Sequence, residues 1–322
     1  VDVDLGNEVK KGIQQLVQAT HGPEVLGKIG GFGGLFRPNF RGMKDPVLVS
    51  SVDGVGTKLK VAFMTGRHGT IGADLVNHCV NDILVQGARP LFFLDYYATG
   101  HLSEDQFKRV LTSIKASCKT CGMALMGGET AEMPDVYHGD HFDLAGFAVG
   151  TLTKQTLLTG KDVEPSQIII GLPSSGIHSN GLSLARKVIT NQADRELLLT
   201  PTQLYVKPVV SVLNHFPASI TGMAHITGGG WRNLLRINSG IGFDIANPLP
   251  VPEIFKKLQD QGIAQQECYE TFNMGLGMAL VVKDNADAIV KQLQANNINA
   301  QVIGKISANA KQISSPVFQY QE

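Results

Sequence analysis

The chain has no surplus of either charge sign: 28 Lys and Arg stand against 28 Asp and Glu over 322 residues. That balance excludes the basic footprint of a nucleic-acid binder and of a protein held on an anionic membrane. Long apolar runs are also missing. A long uncharged stretch, Gln167 to Ala185, is interrupted by Pro173, His178, Asn180 and four serines, so it does not read as a membrane span. The opening VDVDLGNEVK puts acids where a secretory signal would carry basic and then apolar residues. The chain is therefore expected to be soluble and cytoplasmic, with a small molecule as its partner. Cysteine is scarce, four in all. Cys118 and Cys121 form a lone CxxC, but they extend the stripe Phe107, Val110, Leu111, Ile114 at helical spacing, which reads as core packing and not zinc or redox chemistry. All four thiols are expected to be reduced.

What is present is a core: 43% hydrophobic residues with 17% charged, enough for roughly two domains of about 150 residues. The expected division is a segment 1–44 with a glycine-rich loop, a domain 45–155 and a domain 162–322. Apolar runs and turn signals predict strands at Val47 to Val52, Leu91 to Tyr97, Met123 to Met126 and Phe142 to Thr151, interleaved with helices. A helix is also expected around Asn7 to Gln18. The helix after Leu102 carries Ser103 as N-cap, Gln106 as capping-box partner and Gly122 just past its end. The second domain repeats the alternation: strand Gln167 to Leu172, then SSGIHSNG before a helix at Leu182, TGGGW before a helix at Arg232, and later strands near Phe243, Leu276 to Val282 and Gln301 to Ile306. The fold class is α/β (α+β) in two domains.

The 36 glycines cluster. In SSVDGVGTKLK, Ser50 to Lys60, Gly56 is followed by Thr57 and then Lys58, so the order required of a P-loop is absent. GGFGGLF, Gly30 to Phe36, lacks the third glycine of a dinucleotide fingerprint and reads either as a loop that closes over a ligand, with Gly31 and Gly33 facing it, or as a plain loop.

The stretch Gly69 to Gln86, at 100° per residue, puts Gly72, Leu75, Val76, Cys79, Val80 and Ile83 on one arc and Asp74, Asn77, His78, Asn81 and Asp82 on the other. The polar arc holds no Lys or Arg, and Asp82 lies where the helix dipole disfavours an anion, so a cation is expected to face it. Asp95 interrupts the apolar run LFFLDYYA, and Glu129 follows Gly127 and Gly128 at a strand end. Asp53, Asp74, Asp82, Asp95 and Glu129 together suggest a divalent cation. Carboxylate oxygens suit magnesium, which normally bridges phosphates. In DGVGTK, Gly54 and Gly56 let the backbone approach a phosphate, Asp53 binds the metal and Lys58 offsets phosphate charge. In SSGIHSNG, small residues precede a helix, an anion-binding arrangement; His178 either donates to a phosphate or moves a proton, or it stabilises the turn. HITGGGW, His225 to Trp231, either holds a second polar group or lets strand and helix pack closely.

Taken in order, VDVDLGN, GGFGGLF, DGVGTK, VNDILVQGARPLFFLDYYATG, GGETAEMPDVYHG, SSGIHSNGLSLARK, AHITGGG and TFNMGLGM resemble the aminoimidazole ribonucleotide synthetase family, also called phosphoribosylformylglycinamidine cyclo-ligase, over nearly the whole chain. DGVGTK or GGE alone would indicate only a wider ATP-using superfamily that includes thiamine-monophosphate kinase. The resemblance implies ATP-dependent ring closure of formylglycinamidine ribonucleotide in purine biosynthesis. It also implies a homodimer whose N-terminal sheets pair into a barrel, a C-terminal α/β domain with a mixed sheet, and ATP with Mg2+ near the dimer interface. It assigns Asp53, Asp74, Asp82 and Glu129 to the metal, with Asp82, Lys58 and His178 in catalysis. Asp53, Gly54, Gly56, Thr57, Lys58, Gly31, Gly33, Gly128 and Glu129 fall to the nucleotide. Ser175, Gly176, His178, Ser179, Asn180, Thr227, Gly228 and Gly229 fall to the substrate. One departure stands out: after the glycines, WRNLLR has Leu235 where the family usually has proline. Another superfamily kinase, or a catalytically silent nucleotide-binding scaffold, is the alternative.

Overall fold

The computed structural model describes residues 13–27 and 29–322. VDVDLGN and the start of the helix expected around Asn7 lie outside them; residues 13–18 are helical. Two compact units emerge: the described residues up to Ile83 with Ala88–Gln155, and Leu84–Gly87 with Thr156–Glu322. No helix among the described residues is long and apolar enough to cross a membrane.

The first unit contains β1 (Pro46–Gly54), α1 (Lys58–Thr65), α2 (Ile71–Leu84), β2 (Arg89–Thr99), α3 (Glu104–Cys121), β3 (Ala124–Glu132) and β4 (Phe142–Thr153). Its sheet runs β1-β4-β2-β3, with β2 and β3 parallel and the other pairs antiparallel. The sheet is open, so a single chain forms no barrel. Side chains alternate across a strand. One face is covered by α2, which approaches β4 closely because residue 146 is glycine: a Cβ there would lie 2.4 Å from the Phe93 ring and 2.9 Å from Leu75. The opposite face leaves Leu48, Val52 and Phe147 at 60%, 61% and 42% exposure.

In α3 the expected stripe from Phe107 to Cys118 is buried, and Gly122 ends the helix in the left-handed region at φ 70°. Burial pushes the Cys118 thiol well above its ordinary value, as befits a core residue. The capping box does not form. Ser103 makes no side-chain cap, and Gln106 turns inward to accept a hydrogen bond from the Tyr97 hydroxyl at 3.2 Å.

The second unit is built on a mixed seven-stranded sheet ordered β11-β10-β7-β9-β5-β8-β6. Its strands are β5 (Ile168–Pro173), β6 (Ile220–His225), β7 (Gly242–Asp244), β8 (Leu276–Val282), β9 (Gln301–Ser307), β10 (Gln312–Ser314) and β11 (Gln319–Gln321). β7 and β10 are parallel and the remaining pairs antiparallel. Every residue of β8 is buried. Helices α4 (Leu182–Val188), α5 (Gln192–Leu197), α6 (Val206–His215), α7 (Glu253–Asp260), α8 (Gln265–Thr271) and α9 (Ala286–Ala295) complete it. The helix expected at Arg232 is instead the 3-10 segment Gly230–Arg236. Asn233 Nδ2 donates to the carbonyls of Thr227, Gly228 and Gly230 at 3.4, 3.0 and 2.8 Å, a local bonding pattern that competes with regular helix.

Candidate active site

The acid-bearing arc of α2 is not a solvated face. Asp74 and Asn81 have no exposed surface, and Asn77 and His78 are only 6% and 5% exposed. Buried polar groups need partners, and the DGVGTK segment supplies them. His78 Nε2 lies 2.9 Å from Asp53 Oδ2 at the end of β1. Asp53, His78 and Asp82 each bring a ligand atom within 4.8 Å of the others, with Asp53 the most open of the three. Burial alone would lower the His78 imidazole. The hydrogen bond to Asp53 and the charges of Asp82, Asp53 and Asp74 outweigh it, and the ring is held above its ordinary value. Two carboxylates with a half-open approach make a fitting hard-cation site. His78 was visible in the polar arc of the sequence, but only the fold sets it between two acids.

Lys58 and Asp74, both expected at the site, meet each other. Lys58 Nζ sits 2.8 Å from Asp74 Oδ1, and neither side chain has exposed surface. Burial pushes Lys58 below its ordinary value, with the charge and hydrogen bond of Asp74 working the other way. The cation expected to face the acid arc is thus this protein's own lysine. It pairs with Asp74 in the interior of the unit. Lys60, two residues on, is the exposed cation of that turn.

Glu129 stands apart from this cluster. β3 does not end before the motif but runs through GGETAE. Asp53, Gly146, Asp95 and Gly128 form one row across the four strands. Three strand spacings, roughly 14 Å, separate its ends. Glu129 pairs with Tyr96 and shares its face, the open one, whereas Asp53 points to the helix side. One chain cannot hold one ion with both. Asp95, buried on the helix side two strands from Asp53, also stays out of the cluster, and burial pushes its carboxyl up to about 6.

The nucleotide set is divided in the same way. Gly31, Gly33, Gly128 and Glu129 line a cavity of about 720 Å³ together with Tyr96 and Phe147. Asp53, Gly54, Gly56 and Thr57 lie on and just after β1, beside the acid cluster, and are not among its lining residues. Gly56 has φ 55° and open space where a Cβ would project.

In the second unit the structure brings the two glycine motifs together: a Cβ at Gly228 would lie 3.1 Å from Asn180 Oδ1. Several of the expected substrate residues bond within the unit. Ser175 Oγ donates to Pro201 O at 2.6 Å, Ser179 Oγ meets Thr202 Oγ1 at 3.0 Å, and the Gly176 carbonyl accepts from Asn273 Nδ2 at 2.9 Å. His178, only 1% exposed and at φ 61°, accepts the backbone N–H groups of Ser175 and Gln203 on Nε2 at 3.2 and 3.3 Å. With Nε2 accepting two amide donors, His178 stabilises this turn. Asn273 also accepts from Gly275 N on Oδ1 at 3.0 Å, and its carbonyl accepts Trp231 Nε1 at 3.0 Å.

Residues 40–152 match the N-terminal domain, and residues 164–314 the C-terminal domain, of the family described as AIR synthase related protein. Whole-chain likeness in fold extends to thiamine-monophosphate kinase from Stenotrophomonas maltophilia, at 18% identity and TM-score 0.69 over 96% of each chain. It extends also to HypE from E. coli, at 16% identity and TM-score 0.70 over 97% of this chain and 96% of that one. Fold and acid cluster thus define an AIR synthase related two-domain protein. Among curated relatives, phosphoribosylformylglycinamidine cyclo-ligase from Geotalea daltonii is 48% identical over 95% of this chain and 93% of its own length. The Desulfitobacterium hafniense enzyme is 45% identical over 98% and 97%. The chain belongs to the phosphoribosylformylglycinamidine cyclo-ligase family.

Proposed function

We propose that this protein closes formylglycinamidine ribonucleotide to aminoimidazole ribonucleotide, with ATP converted to ADP and phosphate. The observation that carries the reading is 44–48% identity to cyclo-ligases over at least 92% of their length, joined to an acid cluster that suits a cation accompanying a nucleotide. An amide oxygen leaves poorly until phosphorylated, so ATP activates the formyl oxygen, the amidine-side nitrogen attacks that carbon, and phosphate departs as the ring forms. Asp53 and Asp82 would hold Mg2+, which supplies neutralisation of the phosphate oxygens when bound. His78 orients Asp53, and Gly54, Gly56 and Thr57 offer backbone near the phosphates. Gly176, Asn180, Gly228 and Gly229 form a substrate-binding wall that Ser175, His178, Ser179 and Thr227 support.

A second copy is proposed on the open face of the first-unit sheet, where Leu48, Val52 and Phe147 are exposed. Closing two four-stranded sheets into a barrel buries that face and pairs the edge strands β1 and β3.

The test is substrate choice. ADP release should require formylglycinamidine ribonucleotide and yield an imidazole. ADP formed equally well with thiamine monophosphate, and no imidazole, would transfer the protein to a kinase branch; ATP binding without turnover on the true substrate would make it a scaffold.

A further inference from the structure

The second unit turns tightly at residues 273–276 on the way into β8. Met274 stands at φ 48° and Gly275 at φ 94°, and Leu276 N donates to Asn273 O at 3.0 Å. Two central residues at positive φ are the mark of a type I′ turn, which favours Asn or Asp ahead of the glycine. Here that place is taken by a buried methionine. So uncommon a backbone conformation persists only where its surroundings hold it. Asn273, itself buried, supplies part of that hold by accepting Gly275 N on Oδ1 at 3.0 Å.

The same turn grips both glycine motifs. Ser174 N donates to Gly275 O at 2.9 Å and Asn273 Nδ2 to Gly176 O at 2.9 Å, which fixes SSGIHSNG at its first and third residues. Ile226 N donates to Gly277 O at 2.9 Å and Trp231 Nε1 to Asn273 O at 3.0 Å, which fixes HITGGGW at its second and last residues. Asn273 thus bonds to one motif through its side-chain amide and to the other through its carbonyl. The position asks for an amide, because Gly176 O needs a donor and Gly275 N an acceptor from one small planar group. The packing leaves the second motif no slack: a Cβ at Gly230 would lie 2.1 Å from Tyr269 O.

We propose that Asn273 is a positioning residue for the cyclisation, setting the SSGIHSNG turn against the TGGG loop so that the substrate-binding wall is assembled before substrate arrives. The inference rests on the reading that these two motifs bind the ribonucleotide. Asn273→Asp keeps the shape and the Oδ1 acceptor but turns an oxygen toward Gly176 O, whereas Trp231→Phe keeps an aromatic ring beside Tyr269 and Phe318 and loses only the indole N–H. KM for formylglycinamidine ribonucleotide should rise about ten- to a hundredfold in Asn273→Asp and less in Trp231→Phe, with KM for ATP unchanged in both. Thr221→Val is the control: it removes a hydroxyl that donates to Gln167 Oε1 at 2.6 Å near the opposite end of β6 from His225, and should lower stability without moving either KM. A ribonucleotide KM that stays at the wild-type value in Asn273→Asp, or that rises equally in Thr221→Val at equal loss of stability, would overturn the proposal. Should Asn273→Asp fail to fold, an unchanged KM in Trp231→Phe overturns it. Amide hydrogen exchange reads the bridge without turnover: uptake over residues 174–181 and 226–231 should rise together in Asn273→Asp, and a rise in only one segment or in neither counts against the bridge. If the wild type fails to cyclise while both segments loosen together in the variant, the bridge stands and the cyclo-ligase reading falls.

Discussion

Lys58 Nζ and Asp74 Oδ1 meet at 2.8 Å with no exposed surface on either side chain, joining the DGVGTK turn to the acid face of α2. Removing one partner takes from the other its 2.8 Å ion pair in the interior. Asp74→Ala is expected to lower unfolding stability by about 3–5 kcal/mol in urea titrations, and the double variant Lys58→Met with Asp74→Leu much less than the single changes summed. Losses below about 1 kcal/mol for Asp74→Ala would show that the pair carries little of the structure.

Asp82 is only half buried and belongs to the Asp53–His78–Asp82 cluster. Asp82→Asn should cut turnover by about a hundredfold or more while leaving the urea midpoint nearly unchanged. Parallel loss of activity and stability would assign Asp82 to the scaffold. The magnesium dependence should shift in the same variant, read as a higher metal concentration for half-maximal rate.

Burial raises the Asp95 carboxyl from an ordinary 3.8 to about 6. The folded state therefore holds this proton more tightly than the unfolded chain does. Its stabilising contribution is full below about pH 4 and is lost as pH rises through about 6. Asp95→Asn should flatten that decline and, at pH 7, be more stable than wild type by on the order of 2 kcal/mol. Stability profiles that coincide between pH 4 and 7 would contradict the assignment.

His178 accepts two backbone amides and sits at a positive φ that Asn also tolerates. His178→Asn keeps an acceptor and should retain turnover within about tenfold, whereas His178→Leu leaves two donors unsatisfied and should lose about 1–3 kcal/mol of stability. A pH–rate profile that loses a limb in the Asn variant, with stability intact, would restore His178 to proton transfer.

The strands of the first sheet were legible because their apolar runs are bounded by glycine and turn residues, and α2 because its two arcs separate cleanly. What could not be read was which face a strand residue takes once the strand runs through a glycine pair. Glu129 was therefore grouped with Asp53 although the parallel β2–β3 pairing puts it on the opposite face. A lysine beside glycines suggests an anion, and only the fold brings the Lys58 ammonium to Asp74. Short elements such as α5 and β11, at 6 and 3 residues, carry too little periodicity to be seen. The Ser103 capping box failed for a tertiary reason: Tyr97 draws Gln106 inward.

The most direct test of the whole account is the product stoichiometry of a single reaction containing the protein, ATP, magnesium and formylglycinamidine ribonucleotide. The account predicts one ADP for each aminoimidazole ribonucleotide formed, with both products lost together in Asp82→Asn. ADP accumulating without imidazole, or imidazole forming undiminished in Asp82→Asn, would contradict it.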